Sequence, residues 1–153
     1  MSTLNVIPSL WFDMNAEEAM KYYVEVFPNS KINHIEYYPD ESLDEHFKGM
    51  SGKVINGQFN LNGTDFICLD GGPIFKFSAA VSFTVPCKDQ AEIDHYWEKL
   101  SAVPEAEQCG WCQDKFGMSW QIIPENMSEL VATPEGIKVM MGQHKIVIAE
   151  YPK

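Results

Sequence analysis

Arginine is absent from the 153 residues, so all eleven basic side chains are lysine. The chain therefore lacks the rigid guanidinium fork favoured for phosphate and base-edge recognition. Against 22 acidic residues the lysines leave a formal charge of −11 and a pI of about 4.6. That balance disfavours nucleic acid and anionic membrane surfaces as partners. Long apolar runs are missing as well: no stretch approaches the roughly 18 uninterrupted apolar residues that suggest a membrane span. The first twenty residues carry acidic and polar positions where a secretion signal has a basic start and an apolar stretch. Cysteine is sparse, and Cys68, Cys87, Cys109 and Cys112 are too few for a disulfide-stapled miniprotein but suit a reducing compartment. The expectation is a cytoplasmic protein with no nucleic-acid or membrane partner. A chain of this length buries roughly 68–70 % of its unfolded surface, enough for a core without staples or an obligatory metal.

What is present is a repeat. A displacement of 74 residues takes Asn15 onto Asp89, Ala19 onto Ile93, Tyr22-Tyr23 onto Tyr96-Trp97 and Val26 onto Leu100. In each copy a β-rich run, Ile7 to Phe12 or Val81 to Val85, precedes a candidate helix N-cap with Glu three residues later. Apolar residues then follow at i, i+3, i+4 and i+7. Pro28 closes the first helix, and Ser101 to Pro104 closes the second. Lys31 to Tyr38 reads as a strand. Val54 to Asp70 reads as a hairpin, because Asn62-Gly63 suits a two-residue type I′ turn that pairs Leu61 with Thr64, Phe59 with Phe66 and Gln58 with Ile67. The counterpart is Cys109 to Pro124, predicted to turn at Asp114-Lys115-Phe116-Gly117. The resulting division is one domain over residues 1–153, with modules at about 4–71 and 78–124, a linker from Gly71 to Ala80 and an extension over 125–153.

Two amphipathic helices on two sheets predict that each sheet turns one face to its helix and leaves the other free. Strand parity puts Phe59, Phe66, Cys68, Trp111 and Trp120 on the helix side, and Asn56, Gln58, Ile67, Cys112, Ser119 and Gln121 on the free side. The semi-polar free face is expected to make a cleft lined by Phe12, Gln58, Ser82, Thr84, Cys112, Asp114 and Gln121. The acidic loop Pro39 to Gly52, with Gly49 and Gly52, reads either as a mobile flap or as a plain solvated loop.

The segments NAEEAMKYYVEVFPNSKI, FNLNGTDFICLDGGPIFKFSAAVSF, DQAEIDHYWEKL and CGWCQDKFGMSWQIIP resemble the PhnB-like branch of the vicinal-oxygen-chelate superfamily, relatives of glyoxalase I and of bleomycin- and fosfomycin-resistance proteins. The resemblance covers nearly the whole chain. It implies an α+β fold of two βαβββ modules forming a cup-shaped mixed sheet with helices outside, in a homodimer. Metal enzymes of the superfamily hold a divalent cation with His, Glu or Gln, and the resemblance places those four positions near Pro8, Ile67, Ser82 and Gln121. Only Gln121 offers a plausible donor, so no metal and no cofactor are expected. Branch members are often labelled as a 3-demethylubiquinone methyltransferase domain. No glycine-rich strand-to-helix turn suited to S-adenosylmethionine occurs in the chain.

Other candidates are weaker. Cys109-Gly-Trp-Cys112 has redox or zinc spacing, but residues three apart in a strand diverge. His34, His46, His95 and His144 include no pair at ligand spacing, and Glu17-Glu18, Asp40-Glu41 and Asp44-Glu45 read as solvated surface. Asp70 reads as a turn residue or a catalyst. The functional expectation is a small-molecule-binding protein of the glyoxalase superfamily with a degenerate metal site. The alternatives are a divalent-metal-dependent lyase, isomerase or dioxygenase, and a dimeric interaction module without a small ligand.

Overall fold

The computed structural model describes residues 5–153; Leu4, where the first expected module begins, lies outside them. The chain divides into two compact units, 1–76 and 77–153.

The first unit runs β1 (Ser9–Phe12), α1 (Ala16–Val26), β2 (Lys31–Tyr37), β3 (Val54–Leu61) and β4 (Thr64–Asp70). Its sheet has the order β1-β4-β3-β2, with β1 parallel to β4 and the other pairs antiparallel. Helix α1 lays Ala16, Ala19, Met20, Tyr23 and Val26 against the sheet at helical spacing, and the Phe59 ring stacks between those of Tyr23 and Phe66. Asn62 and Gly63 both take positive φ, 46° and 99°, as a type I′ turn requires. The β3–β4 register matches the expected one, Gln58 with Ile67 and Phe59 with Phe66. The acidic segment 39–52 folds into two 3-10 turns, Glu41–Leu43 and Glu45–Phe47. Asp40 and Asp44 cap these turns, and Met50 is buried beneath them.

The second unit runs β5 (Ser82–Cys87), α2 (Gln90–Leu100), β6 (Trp111–Gln113), β7 (Ser119–Pro124), α3 (Met127–Leu130) and α4 (Pro134–Gly142). Its order β5-β7-β6, with β5 parallel to β7, repeats β1-β4-β3. The place of β2 is taken by an irregular segment around Pro104–Ala106, tied to β6 by the bond from Ala102 N–H to the Gln113 carbonyl and by a bridge between Gln108 and Trp111. Pro104 has no N–H to give a ladder. Asp89 caps α2 as expected: its carboxylate accepts the Glu92 amide at 3.0 Å, while Glu92 accepts the Lys88 amide at 2.8 Å.

The β6–β7 turn departs from expectation. It occupies the five residues 114–118, so Trp111 pairs with Gln121 and Cys112 with Trp120. A four-residue turn would have paired Cys112 with Ser119. The extra residue carries every β6 side chain to the opposite face.

The C-terminal extension is built into this unit. The Gln90 amide donates to the Ile146 carbonyl at 2.9 Å and its oxygen accepts the Ile148 amide at 2.8 Å. Lys145 pairs with Asp94 at 2.8 Å, and Ile146 is fully buried. The protein is thus α+β, with two small mixed sheets and helices packed outside them.

Candidate functional site

On the face of the second sheet turned away from α2, alternation brings Ser82 and Thr84 of β5, Gln121 and Ile123 of β7 and Trp111 of β6 to one side. The Gln121 amide nitrogen donates to the Ser82 hydroxyl at 3.0 Å, and Thr84 stands beside Gln121 in the parallel register. Trp111, Gln121 and Ile123 form part of a groove of about 550 Å3. Ala106, Gln108 and Cys109 line it as well, together with Met127 of α3 and Met140 and Met141 of α4. The lining is mostly apolar with few polar groups, the composition of small-molecule sites.

Helix α4 is seated by local chemistry. Thr133 caps it, its hydroxyl oxygen accepting the Gly136 amide at 3.1 Å, and Pro134 stands at the first helical position. Gly136 is buried so close to α3 that an added Cβ would lie 1.9 Å from the Leu130 carbonyl oxygen.

Of the seven expected cleft residues, Ser82, Thr84 and Gln121 share this face. Gln58 is exposed on the corresponding open face of the first unit, opposite Ile67 and His34. Three positions need correction. Phe12 is 2 % exposed and packs on the helix side of the first sheet, because it alternates with Trp11 and shares its face with Leu10. Cys112 is buried opposite Trp120, the result of the longer turn. Asp114 is buried as the organiser of that turn: its carboxylate accepts the Phe116 amide at 2.8 Å, the Met118 amide at 3.0 Å and the Trp120 indole N–H at 2.9 Å. Trp111, expected on the helix side, takes the place vacated by Cys112 in the groove.

All four cysteines are free. Burial pushes the thiols of Cys68, Cys87 and Cys112 up to about 12, with nearby carboxylates adding to the effect. Cys109 is only half-buried and has positive φ at 52°. Asp70 is structural: one carboxylate oxygen accepts the first amide of α1, at Ala16, and the other accepts the Val54 amide. Each of His34 and His46 pairs with a neighbouring carboxylate on exposed surface, and His95 and His144 are exposed. Among the described residues no three His, Cys, Asp or Glu side chains gather where a metal ion could be held.

The residues at the four positions where the family resemblance places metal ligands do not fit the divalent cation of the superfamily's metal enzymes. Pro8 and Ile67 carry no donor side chain, and the Pro8 carbonyl is committed to the Ile67 amide at 3.0 Å. The Ser82 hydroxyl accepts from Gln121. S-adenosylmethionine has no cradle either, because the turns before α1 and α2 contain no glycine and carboxylates of Asp70 and Asp89 already engage amides at the helix starts.

A strand, helix and hairpin repeated in sequence, with each helix against one sheet face and the opposite face open, defines the fold class of the vicinal-oxygen-chelate superfamily. The chain belongs within it to the PhnB-like family: the family described as 3-demethylubiquinone-9 3-methyltransferase matches residues 4–123. A Bacillus cereus PhnB protein with that same description is 34 % identical, covering 78 % of this chain and 99 % of its own, with a TM-score of 0.64. A protein from Pseudomonas aeruginosa is 16 % identical over 80 % of this chain and 98 % of its own, TM-score 0.62. The fosfomycin resistance protein FosX of Mesorhizobium loti shares the fold at 13 % identity, covering 87 % of this chain and all of its own, TM-score 0.54. No curated protein matches the chain.

Proposed function

We propose that the protein binds a small, largely apolar organic molecule in the groove of its second unit, with Gln121 as the polar contact that orients it. The observation that carries this reading is the tether between Gln121 and Ser82, which fixes one amide on an otherwise apolar floor beside Trp111. An amide held by a neighbour loses less side-chain entropy on meeting a ligand. Methyl transfer and divalent-metal chemistry are not part of the proposal, for the reasons of fit given above. The working form proposed is a cytoplasmic homodimer, because both sheets end in edge strands that need cover. No helix among the described residues is long and apolar enough to cross a membrane.

The test is a thermal-shift screen of apolar fragments each carrying one polar group, followed by amide NMR mapping of the hits. Binding is expected to move the resonances of Trp111, Gln121 and Ile123, and Gln121→Leu is expected to weaken the hits at least fivefold while leaving the melting temperature unchanged or higher. Hits that map elsewhere, or that bind Gln121→Leu equally well, overturn the reading.

A further inference from the structure

Sulfur is concentrated in the lining of the groove. Cys109, Met127, Met140 and Met141 all line it, and the Cys109 Sγ lies 3.9 Å from the Met141 Sδ. Two further contacts hold that pair. The Gln108 side-chain amide donates to both the Cys109 sulfur, at 3.2 Å, and the Met141 carbonyl, at 2.9 Å. The backbone N–H groups of Cys109 and Gly110 donate to the carbonyls of Gln143 and His144, each at 2.8 Å, so the turn carrying the thiol is fastened to the chain leaving α4.

We propose that Cys109 and Met141 form a binding site for a soft monovalent metal ion, Cu(I) or Ag(I), with the Met140 and Met127 thioethers available from the same groove. The spacing suits the chemistry. At the roughly 2.3 Å of a metal–thiolate bond, sulfurs 3.9 Å apart subtend about 115° at a bridging ion, close to the trigonal angle. Thiolate and thioether donors select soft ions, and no carboxylate lines this groove to favour a hard one. Binding replaces the thiol proton: the S–H bond breaks, the proton leaves to solvent and the sulfur electron pair goes to the metal with no change of oxidation state. The three other thiols are buried and resist deprotonation, which leaves Cys109 as the reactive sulfur. The inference is independent of the organic ligand proposed above, since it needs neither Gln121 nor Ser82.

The test titrates reduced, metal-free protein anaerobically with Cu(I) presented by bicinchoninate, and in parallel with Ag(I). One equivalent per chain is expected. Met141→Leu, at an exposed position, is expected to lower Cu(I) affinity at least tenfold, and Cys109→Ser to abolish the stoichiometric binding, with far-UV circular dichroism unchanged in both. Cu(I) is also expected to protect Cys109 of the unaltered protein from iodoacetamide. Unchanged Cu(I) affinity in Met141→Leu, stoichiometric binding in Cys109→Ser, or alkylation of Cys109 at the same rate with and without Cu(I) overturns the proposal.

Discussion

The carboxylate of Asp70, at the end of β4, accepts the backbone amide of Ala16, the first residue of α1, at 2.9 Å. Asn15 holds the N-cap position but makes no side-chain cap bond. The helix start is thus secured by a residue 54 positions away, and the same carboxylate takes the Val54 amide at 3.0 Å. Asp70→Ala leaves two buried amides without an acceptor. At about 1–3 kcal/mol for each unsatisfied group, the expected loss is about 2–6 kcal/mol, read as a fall in chemical-denaturation midpoint with unchanged slope. Asp70→Asn, which keeps one acceptor oxygen, should fall between. Wild-type stability in both variants would contradict the role assigned to this carboxylate.

The three buried thiols set an alkaline limit. Their pKa values stand near 12 in the folded protein against an ordinary value of 9.0. Unfolding at a pH between those values releases protons, so stability is fully present below about pH 9 and declines as pH rises toward 12. Melting temperatures across that range should fall less steeply in a Cys68→Ala, Cys87→Ala double variant than in the unaltered chain. Identical slopes would sink the assignment. Iodoacetamide near pH 8 should modify one thiol, Cys109, well before the other three.

Gly136→Ala should dislodge α4. The added methyl would meet a backbone carbonyl at 1.9 Å, a partner that cannot rotate away. Overpacking of this kind typically costs about 1–3 kcal/mol. Because α4 carries Met140 and Met141, the variant should lose fragment binding in the groove even where it stays folded. Retained affinity would show that α4 is not a wall of the site.

Purified protein should carry no stoichiometric Zn, Ni, Fe or Mn, since the positions where the family resemblance places the metal ligands include Pro8 and Ile67, which carry no donor side chain. Elemental analysis decides it, and one equivalent of any of these ions, lost in Gln121→Ala, would refute it.

Much of the fold is legible in the residues because its determinants are local. Asn62-Gly63 dictates a two-residue turn and with it the register of Phe59 and Phe66, and Asp89 with Glu92 marks the start of α2. Parity from a correctly counted strand also places Gln121, Ser82 and Thr84 on one face. Trp111 and Cys112 come out inverted because their face depends on the length of a turn whose five residues are organised by a buried carboxylate, Asp114, and by no short dipeptide. The methionine wall is hidden for a different reason. Met127, Met140 and Met141 follow the repeat and reach the groove through tertiary packing. The pairing of Met140 with Met141 beside Cys109 could have been suspected only from their shared sulfur chemistry.

The turn at residues 114–118 has a consequence for how such a site changes. It lies outside the groove's lining, yet its residue count decides whether an indole or a thiol faces the groove. Deleting exposed Lys115 would exchange Trp111 for Cys112 on the floor, and bury the indole against α2, without substituting any residue that lines the groove. Insertions and deletions in this hairpin therefore reshape the groove floor in a way that a comparison of groove residues alone would overlook.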